Sequence, residues 1–252
     1  NINLQLQPES RTILVGDNGS GKTTLLSLLL GDHPLSYAFP ASKLSLFGAA
    51  RRDRINATAN LNARIGHFSP ELFNAFPRRS LEAGGLSVAD AIASGFANIF
   101  TPRPWGEQQL RRVHGLLAHF ADLLRNSSPS GSCRGKSDVD TLARTAFRDL
   151  STGSQAVVLF LRAIVHSPTL LVLDEPFQGM DRRQVERARL FLDEAGTARD
   201  GFLTGASSEE KEKDREARKA MAMIVVSHYE EEWPTSCGKL IRLKDGEIAE
   251  TL

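Results

Sequence analysis

Cysteine is nearly absent: the 252 residues hold two, Cys133 and Cys237, neither in a C-x-x-C pair nor near clustered histidines. A zinc site therefore lacks its ligand pattern. Two isolated cysteines fit a reducing intracellular compartment, the cytoplasm or the mitochondrial matrix. No apolar run approaches the roughly 20 residues that a membrane-spanning helix requires; the longest, near Val157 to Val165, is broken by Arg162. Any transport role would thus need a separate membrane partner. The opening NINLQLQPES lacks a basic start followed by an apolar core, so it is no secretory signal. Charge of one sign is also missing. The formal net charge is +1, which gives no global pull toward nucleic acid or an anionic membrane. The basic cluster Arg51, Arg52 and Arg54 reads as solvating charge, and no nucleic-acid partner is expected.

What remains is ordinary globular material, 41% hydrophobic and 24% charged, enough for one large domain with a buried core. Ile2, Leu4 and Leu6 alternate with polar residues as a half-buried strand would. Thr12 to Val15 reads as a short strand entering a glycine-rich loop, and Leu25 to Leu30 as a helix stopped by Gly31. Further strands are expected at Arg64 to Phe68, Thr169 to Leu173, Met223 to Val226 and Leu240 to Leu243. After the last, Lys244-Asp245-Gly246 reads as a hairpin turn and Glu247 to Ala249 as a return strand. Continuous apolar runs such as Leu170-Leu171-Val172-Leu173 suit a sheet covered on both faces. The fold class is therefore α/β, a mostly parallel sheet core with an antiparallel β edge. Between about 80 and 147 the apolar residues recur at helical spacing, which predicts a helical subdomain inserted between core segments at about 1–79 and 148–252. Flexible insertions are expected at about 126–136 and 200–219. The charge run Ser207 to Lys219 is also readable as a solvated helix.

Three segments carry chemistry. Gly16-Asp17-Asn18-Gly19-Ser20-Gly21-Lys22-Thr23 fits G-x-x-x-x-G-K-[ST]. Its glycines let successive backbone N–H groups face one point where phosphate oxygens sit, with Lys22 reaching the β- and γ-phosphates and the Thr23 hydroxyl ligating Mg²⁺. The following helix adds the positive end of its dipole. A chance match would arise in about 1% of chains this long at ordinary glycine usage, and placement between an apolar strand and an apolar helix lowers that further. The second segment is Leu170 to Pro176, a buried strand delivering Asp174 and Glu175 at its C-terminal end, where open α/β sheets bind ligands. Asp174 would hold magnesium through water and Glu175 would orient or deprotonate an attacking water. A strand ending in Asp-Glu is individually common, and only the phosphate loop upstream lifts it above a solvated turn. The third is Leu150 to Gln155, where Ser151 reads as an N-cap that leaves the amides of Gly153 and beyond aimed outward as a second anion site. Alone, that segment is simply a capped helix.

With these residues in order, the chain resembles the ABC-type ATPases. The phosphate loop spans Gly16 to Thr24, LSTGS at Leu150 to Ser154 stands where that family has LSGGQ, and Leu170 to Pro176 is similar to its acidic strand. Gly179-Met180-Asp181 is similar to its D-loop and Val226-Ser227-His228 to its switch histidine. The resemblance runs from Ile2 to Ile248 and implies a P-loop NTPase fold of the ABC type. It further implies an ATPase that binds ATP and Mg²⁺ at Gly16, Asn18, Gly19, Ser20, Gly21, Lys22, Thr23 and Thr24. A second ABC domain, in the same longer chain or as a homodimer, would dock head to tail, with Ser151 and Gly153 serving the partner's nucleotide. Glu175 would activate water, His228 would contact the γ-phosphate and Asp181 would couple the two sites.

Two departures qualify that picture. The loop after Arg64 to Phe68 reads Ser69-Pro70-Glu71, without the family's glutamine, and Ser69 or Glu71 would substitute. The family's adenine-stacking aromatic lies upstream of the first strand, and this chain starts too late to contain it. A fragment of a longer tandem protein is therefore expected, this being its second ABC unit. Gly31-Asp32-His33-Pro34, the SPEL stretch at Ser69 to Leu72 and Ser94-Gly95-Phe96 resemble the ModF/photorepair branch, soluble proteins with two ABC units, nominally associated with molybdate uptake. The alternatives are a motor subunit working on a separate membrane protein, and an ATP-gated regulatory module with little turnover.

Overall fold

The computed structural model describes residues 2–40, 42–124, 136–194 and 207–252. Its centre is a six-stranded sheet in the order β4-β5-β6-β1-β7-β8. The strands are β1 (Arg11–Val15), β4 (Ile65–Phe68), β5 (Leu170–Asp174), β6 (Ala222–Val226), β7 (Lys239–Lys244) and β8 (Glu247–Thr251). All neighbours pair in parallel except β7 and β8, which form the antiparallel edge hairpin. Asp245 and Gly246, both at positive φ (49° and 77°), make its tight turn, the conformation that suits Asp-Gly. A small hairpin, β2 (Ser45–Leu46) with β3 (Ala49–Ala50), stands apart.

The apolar runs in these strands have a direct cause. Leu171 and Leu173 of β5 and Met223 and Val225 of β6 enter one core cluster, while Leu170, Val172, Ile224 and Val226 enter another. Both faces of the sheet are thus covered, and alternation has no polar side to show. The first cluster is capped by α7 (Thr152–Ile164), whose residues Ser154 to Ile164 are all buried; a helix apolar all round belongs in a core. Between β4 and β5 the described residues form helices and short 3-10 turns with no strand longer than a single bridge. These are α3 (Pro70–Ala75), α4 (Val88–Ala93), α5 (Glu107–Leu124), α6 (Lys136–Arg144) and α7. On the other face lies α1 (Lys22–Leu30), burying Leu25, Leu26 and Leu29 and closed by Gly31 in the left-handed region. The remaining helices are α2 (Thr58–Asn62), α8 (Arg182–Asp193) and α9 (Ser208–Ala220).

Three expectations are corrected. Residues 2–6 form no strand: Leu4 and Leu6 pack partly buried against the second cluster, but both ladder sides of β1 are already taken by β6 and β7. Arg51 is not a solvating charge. It is 1% exposed, donating to the Asn56 carbonyl at 2.7 Å and to the Tyr37 hydroxyl at 3.0 Å. Of the two readings open for the charge run, the helix is the one formed, as α9. A capping box between Ser207 and Glu210 starts it, and acidic residues in its first turn and basic ones in its last complement the helix dipole. Of the insertion expected at about 126–136, residues 126–135, with Cys133, lie outside the described residues, as do residues 200–206, while Lys136 opens α6. Cys237 is half-buried and burial pushes its thiol up to about 12, so it stays protonated at neutral pH. Among the described residues no helix is long and apolar enough to cross a membrane.

α9 is anchored by charge. Its Asp214 is buried and accepts from Arg112 of α5, from Ser167 at 3.1 Å and from Arg218 at 3.0 Å. Removing the carboxylate between two buried guanidinium groups is strongly destabilising. Asp214→Ala is expected to lower stability by about 3 kcal/mol, read as a reduced urea midpoint. A midpoint unchanged within error would show that the cluster contributes nothing.

Candidate nucleotide site

The parallel strands end on one side of the sheet, and every candidate catalytic side chain lies just beyond those ends. β1 runs into Gly16, which sits at φ 155° with no room for a side chain: a Cβ there would stand 2.4 Å from the Leu243 carbonyl oxygen and 2.6 Å from Ser20 Oγ. Gly19 and Gly21 are also at positive φ, 82° and 100°, which L-residues adopt at a cost. The loop therefore curls tightly into α1. Its back is braced by the β7–β8 turn, where the Gly246 amide donates to the Ser20 carbonyl at 3.0 Å. Lys22 Nζ folds over the loop, donating to the carbonyls of Gly16 at 2.6 Å and Asp17 at 3.0 Å.

From β5 come Asp174 and Glu175. The Glu175 amide donates to Val226 at 2.9 Å, prolonging the β5–β6 ladder, and Glu175 itself is held at φ 45°, a conformation uncommon for a non-glycine residue. From β6 comes His228, whose Nε2 lies 3.2 Å from Glu175 Oε1. The loop presenting it is clamped by Ser227, whose hydroxyl donates to Glu232 at 2.6 Å and accepts from the Tyr229 amide at 3.3 Å. From the end of β4, Ser69 caps α3 by accepting from the Leu72 amide at 3.2 Å, and Pro70 at the first helical position suits that start.

These four strand ends enclose one cavity of about 240 Å³, lined by Asn18, Gly19, Gly21, Lys22, Thr23, Thr24, Pro70, Glu71, Asp174, Glu175 and His228. Burial pushes the Asp174 carboxyl up to about 6, reinforced by the neighbouring negative charges of Glu175 and Glu71 and opposed by Lys22 and His228. The cavity therefore holds carboxylates that a cation would stabilise. Its donor set is all oxygen, the hydroxyl of Thr23 and the carboxylate of Asp174, which suits a hard dication such as Mg²⁺. Among the described residues no group of three or more His, Cys, Asp and Glu is spaced to hold a metal by itself. A Mg²⁺ ion with few protein ligands and a shell completed by phosphate and water fits that arrangement.

The structure does not bring every sequence-nominated residue to this cavity. Gly16 is packed against the Leu243 carbonyl and Ser20 is buried, and neither lines the cavity. Ser151, Gly153 and Asp181 also lie off its lining. Ser151 caps α7, accepting from the Ser154 amide at 3.3 Å, while its carbonyl takes the Gln155 amide at 2.8 Å. Only the amides before Ser154 are then left to point outward. Asp181 caps α8 through a reciprocal pair with Gln184. Gly153 is where these two helix starts meet: a Cβ there would lie 2.5 Å from Gln184 Oε1 and 2.8 Å from the Gly179 carbonyl oxygen. The sequence reading missed the bracing turn at Gly246 and the Ser227–Glu232 clamp. The Asp-Gly dipeptide marked the turn, but nothing in the sequence said what it leans on.

The family model described as "ABC transporter" matches residues 1–178. An ABC transporter ATP-binding protein of Schizosaccharomyces pombe is 29% identical over 248 residues, covering 98% of this chain and 41% of its own length. The ABC transporter ATP-binding protein ModF of Escherichia coli is 33% identical over 194 residues, covering 77% of this chain and 34% of its own. The Fe(3+) ions import ATP-binding protein FbpC of Pseudomonas fluorescens is 32% identical over 194 residues, covering 74% and 45%. The chain thus spans well under two thirds of the length of these curated relatives. Among solved structures, a bacterial ABC transporter cassette in dimeric form covers 100% of this chain and 88% of its own, with a TM-score of 0.63 at 18% identity. The same cassette bound to ADP and Pi superposes with a TM-score of 0.62, also at 18% identity and over the same shares of both chains. These structural likenesses bear on the fold.

Proposed function

The chain belongs to the ABC transporter family, and from that membership we propose that it binds and hydrolyses ATP as one half of a head-to-tail nucleotide sandwich. The observation that carries this is the single cavity in which the glycine loop, Lys22, Thr23, Asp174, Glu175 and His228 converge. The loop amides and the Lys22 ammonium would hold the β- and γ-phosphates of ATP. Thr23 and Asp174 would hold Mg²⁺, Asp174 through water, and the ion when bound neutralises charge on the phosphate oxygens. Glu175 would accept a proton from, or orient, the water attacking the γ-phosphorus, its strained backbone and the Val226 contact fixing its aim. His228 would contact the γ-phosphate, its position set by the Ser227–Glu232 clamp.

Ser151 and Gly153 stand off the lining of their own cavity, and this placement supports a role toward a partner's nucleotide. A second ABC unit, within a longer chain or as a homodimer, would bring its own serine-glycine helix start over this cavity. The lengths of the curated relatives and the likeness to ModF favour a tandem arrangement. Core segments at about 1–79 and 148–252 would carry both the ATP cavity and the partner-facing helix start at Ser151, with the helical subdomain at about 80–147 inserted between them. The compartment proposed is the cytoplasm or the mitochondrial matrix. A motor subunit acting on a separate membrane protein is the reading that the likeness to FbpC favours, and copurification with a membrane subunit would select it.

Pairing is tested with Ser151→Arg. The larger cation is expected to block ATP-dependent dimerisation in size-exclusion runs of the Glu175→Gln background while leaving monomer ATP affinity within about twofold, since Ser151 lies outside the cavity. Equal ATP-dependent dimerisation with and without the arginine would exclude the sandwich.

A further inference from the structure

The loop after β4 carries an acidic side chain into the phosphate cavity. Of the two residues that stand near the family's glutamine, Ser69 is 5% exposed and its hydroxyl is occupied by the cap on the Leu72 amide. Glu71, in the first turn of α3, instead lines the cavity together with Lys22, Thr23, Asp174 and Glu175. Glutamine would offer a neutral amide at such a wall, whereas glutamate offers a charge.

A bare phosphate tail entering this cavity meets the Lys22 ammonium on one side and the Glu71, Asp174 and Glu175 carboxylates on the others. Much of the tail's negative charge is neutralised when it arrives with a divalent cation, and the repulsion from the same carboxylates then falls. A charge at the wall therefore penalises the bare tail more than the loaded one, and a neutral group penalises neither. This effect works through space and needs no direct bond from Glu71 to metal. Building on the ATP reading above, we infer that Glu71 makes nucleotide binding conditional on a divalent cation, rejecting the bare triphosphate and favouring the cation-loaded one.

The test is isothermal titration of a non-hydrolysable ATP analogue, once with excess Mg²⁺ and once with EDTA, into wild type, Glu71→Gln and Glu71→Asp. Glu71 is exposed, so the isosteric amide leaves the fold intact. The ratio of the two affinities is expected to fall about tenfold in Glu71→Gln, with the bare analogue binding tighter than to wild type. Glu71→Asp should keep the wild-type ratio. The gap between wild type and Glu71→Gln should narrow at high potassium chloride, as screened charges do. A Glu71→Gln variant that keeps the wild-type ratio, or that weakens both conditions equally, overturns the inference while leaving ATP binding standing. Wild type that binds the analogue in neither condition overturns the ATP reading itself, and this inference with it.

Discussion

Lys22→Ala is expected to weaken ATP binding at least a hundredfold, to the point of loss in ordinary titrations. The ammonium is the one lysine among the described residues in the cavity lining, and a charge-assisted bond to phosphate contributes on the order of 1.5–3 kcal/mol. Its removal also leaves the carboxylates of Asp174, Glu175 and Glu71 facing the phosphates without an opposing ammonium, so the loss exceeds a single hydrogen bond. The side chain has a second task in the resting loop, where it ties the Gly16 and Asp17 carbonyls together. One of those bonds is part-buried and the other exposed, and the fold of the loop is set by Gly16 packed under Leu243 and by Gly246 bonded to Ser20. The thermal midpoint should therefore move by no more than about 2 °C. Isothermal titration with ATP and Mg²⁺ checks the first expectation and a thermal melt the second. Undiminished affinity in a folded variant would show that the loop does not hold phosphate.

Glu175→Gln is expected to slow hydrolysis in single turnover by two orders of magnitude or more, the usual range for losing a general base. The change keeps shape and removes one negative charge beside Asp174. ATP affinity should therefore hold or rise, and the variant should accumulate bound ATP. His228 lies 3.2 Å from the same carboxylate, so the amide can still hydrogen-bond to it and the loop after β6 stays in place. A rate equal to wild type would remove Glu175 from the chemistry and favour a module that binds nucleotide without turning it over.

The chemistry was more legible in the sequence than the scaffold around it. β1, β4, β5, β6 and the β7–β8 hairpin could be read within a residue or two because each is an apolar run, and all but β6 meet a glycine, proline or acidic stop. The glycine loop was legible because positive φ at Gly16, Gly19 and Gly21, and close packing at Gly16, admit little besides glycine. Residues 2–6 misled for a physical reason: alternation records which side chains are half-buried, and Leu4 and Leu6 are, but a strand also needs a ladder partner. Arg51 misled because composition cannot show that the Gly31 turn and the Asn56 carbonyl enclose a guanidinium. The charge run at 207–219 left two readings open, since a solvated helix and a loop have similar composition. What separates them is the Ser207 capping box and the burial of Asp214 between two arginines. The site's supports were illegible because they are long-range: Gly246 beneath Ser20 and Gln184 beside Gly153 are contacts between distant segments that no local pattern encodes.

The most direct measurement is a crystal structure of the chain with a non-hydrolysable ATP analogue and Mg²⁺. The account predicts β- and γ-phosphate oxygens at about 2.7–3.2 Å from the amides between Gly19 and Thr23. Lys22 Nζ should have moved from the Gly16 carbonyl to the phosphates, and Asp174 and Glu175 should lie across the cation. A triphosphate bound elsewhere on the surface, with Lys22 still resting on Gly16, would contradict it.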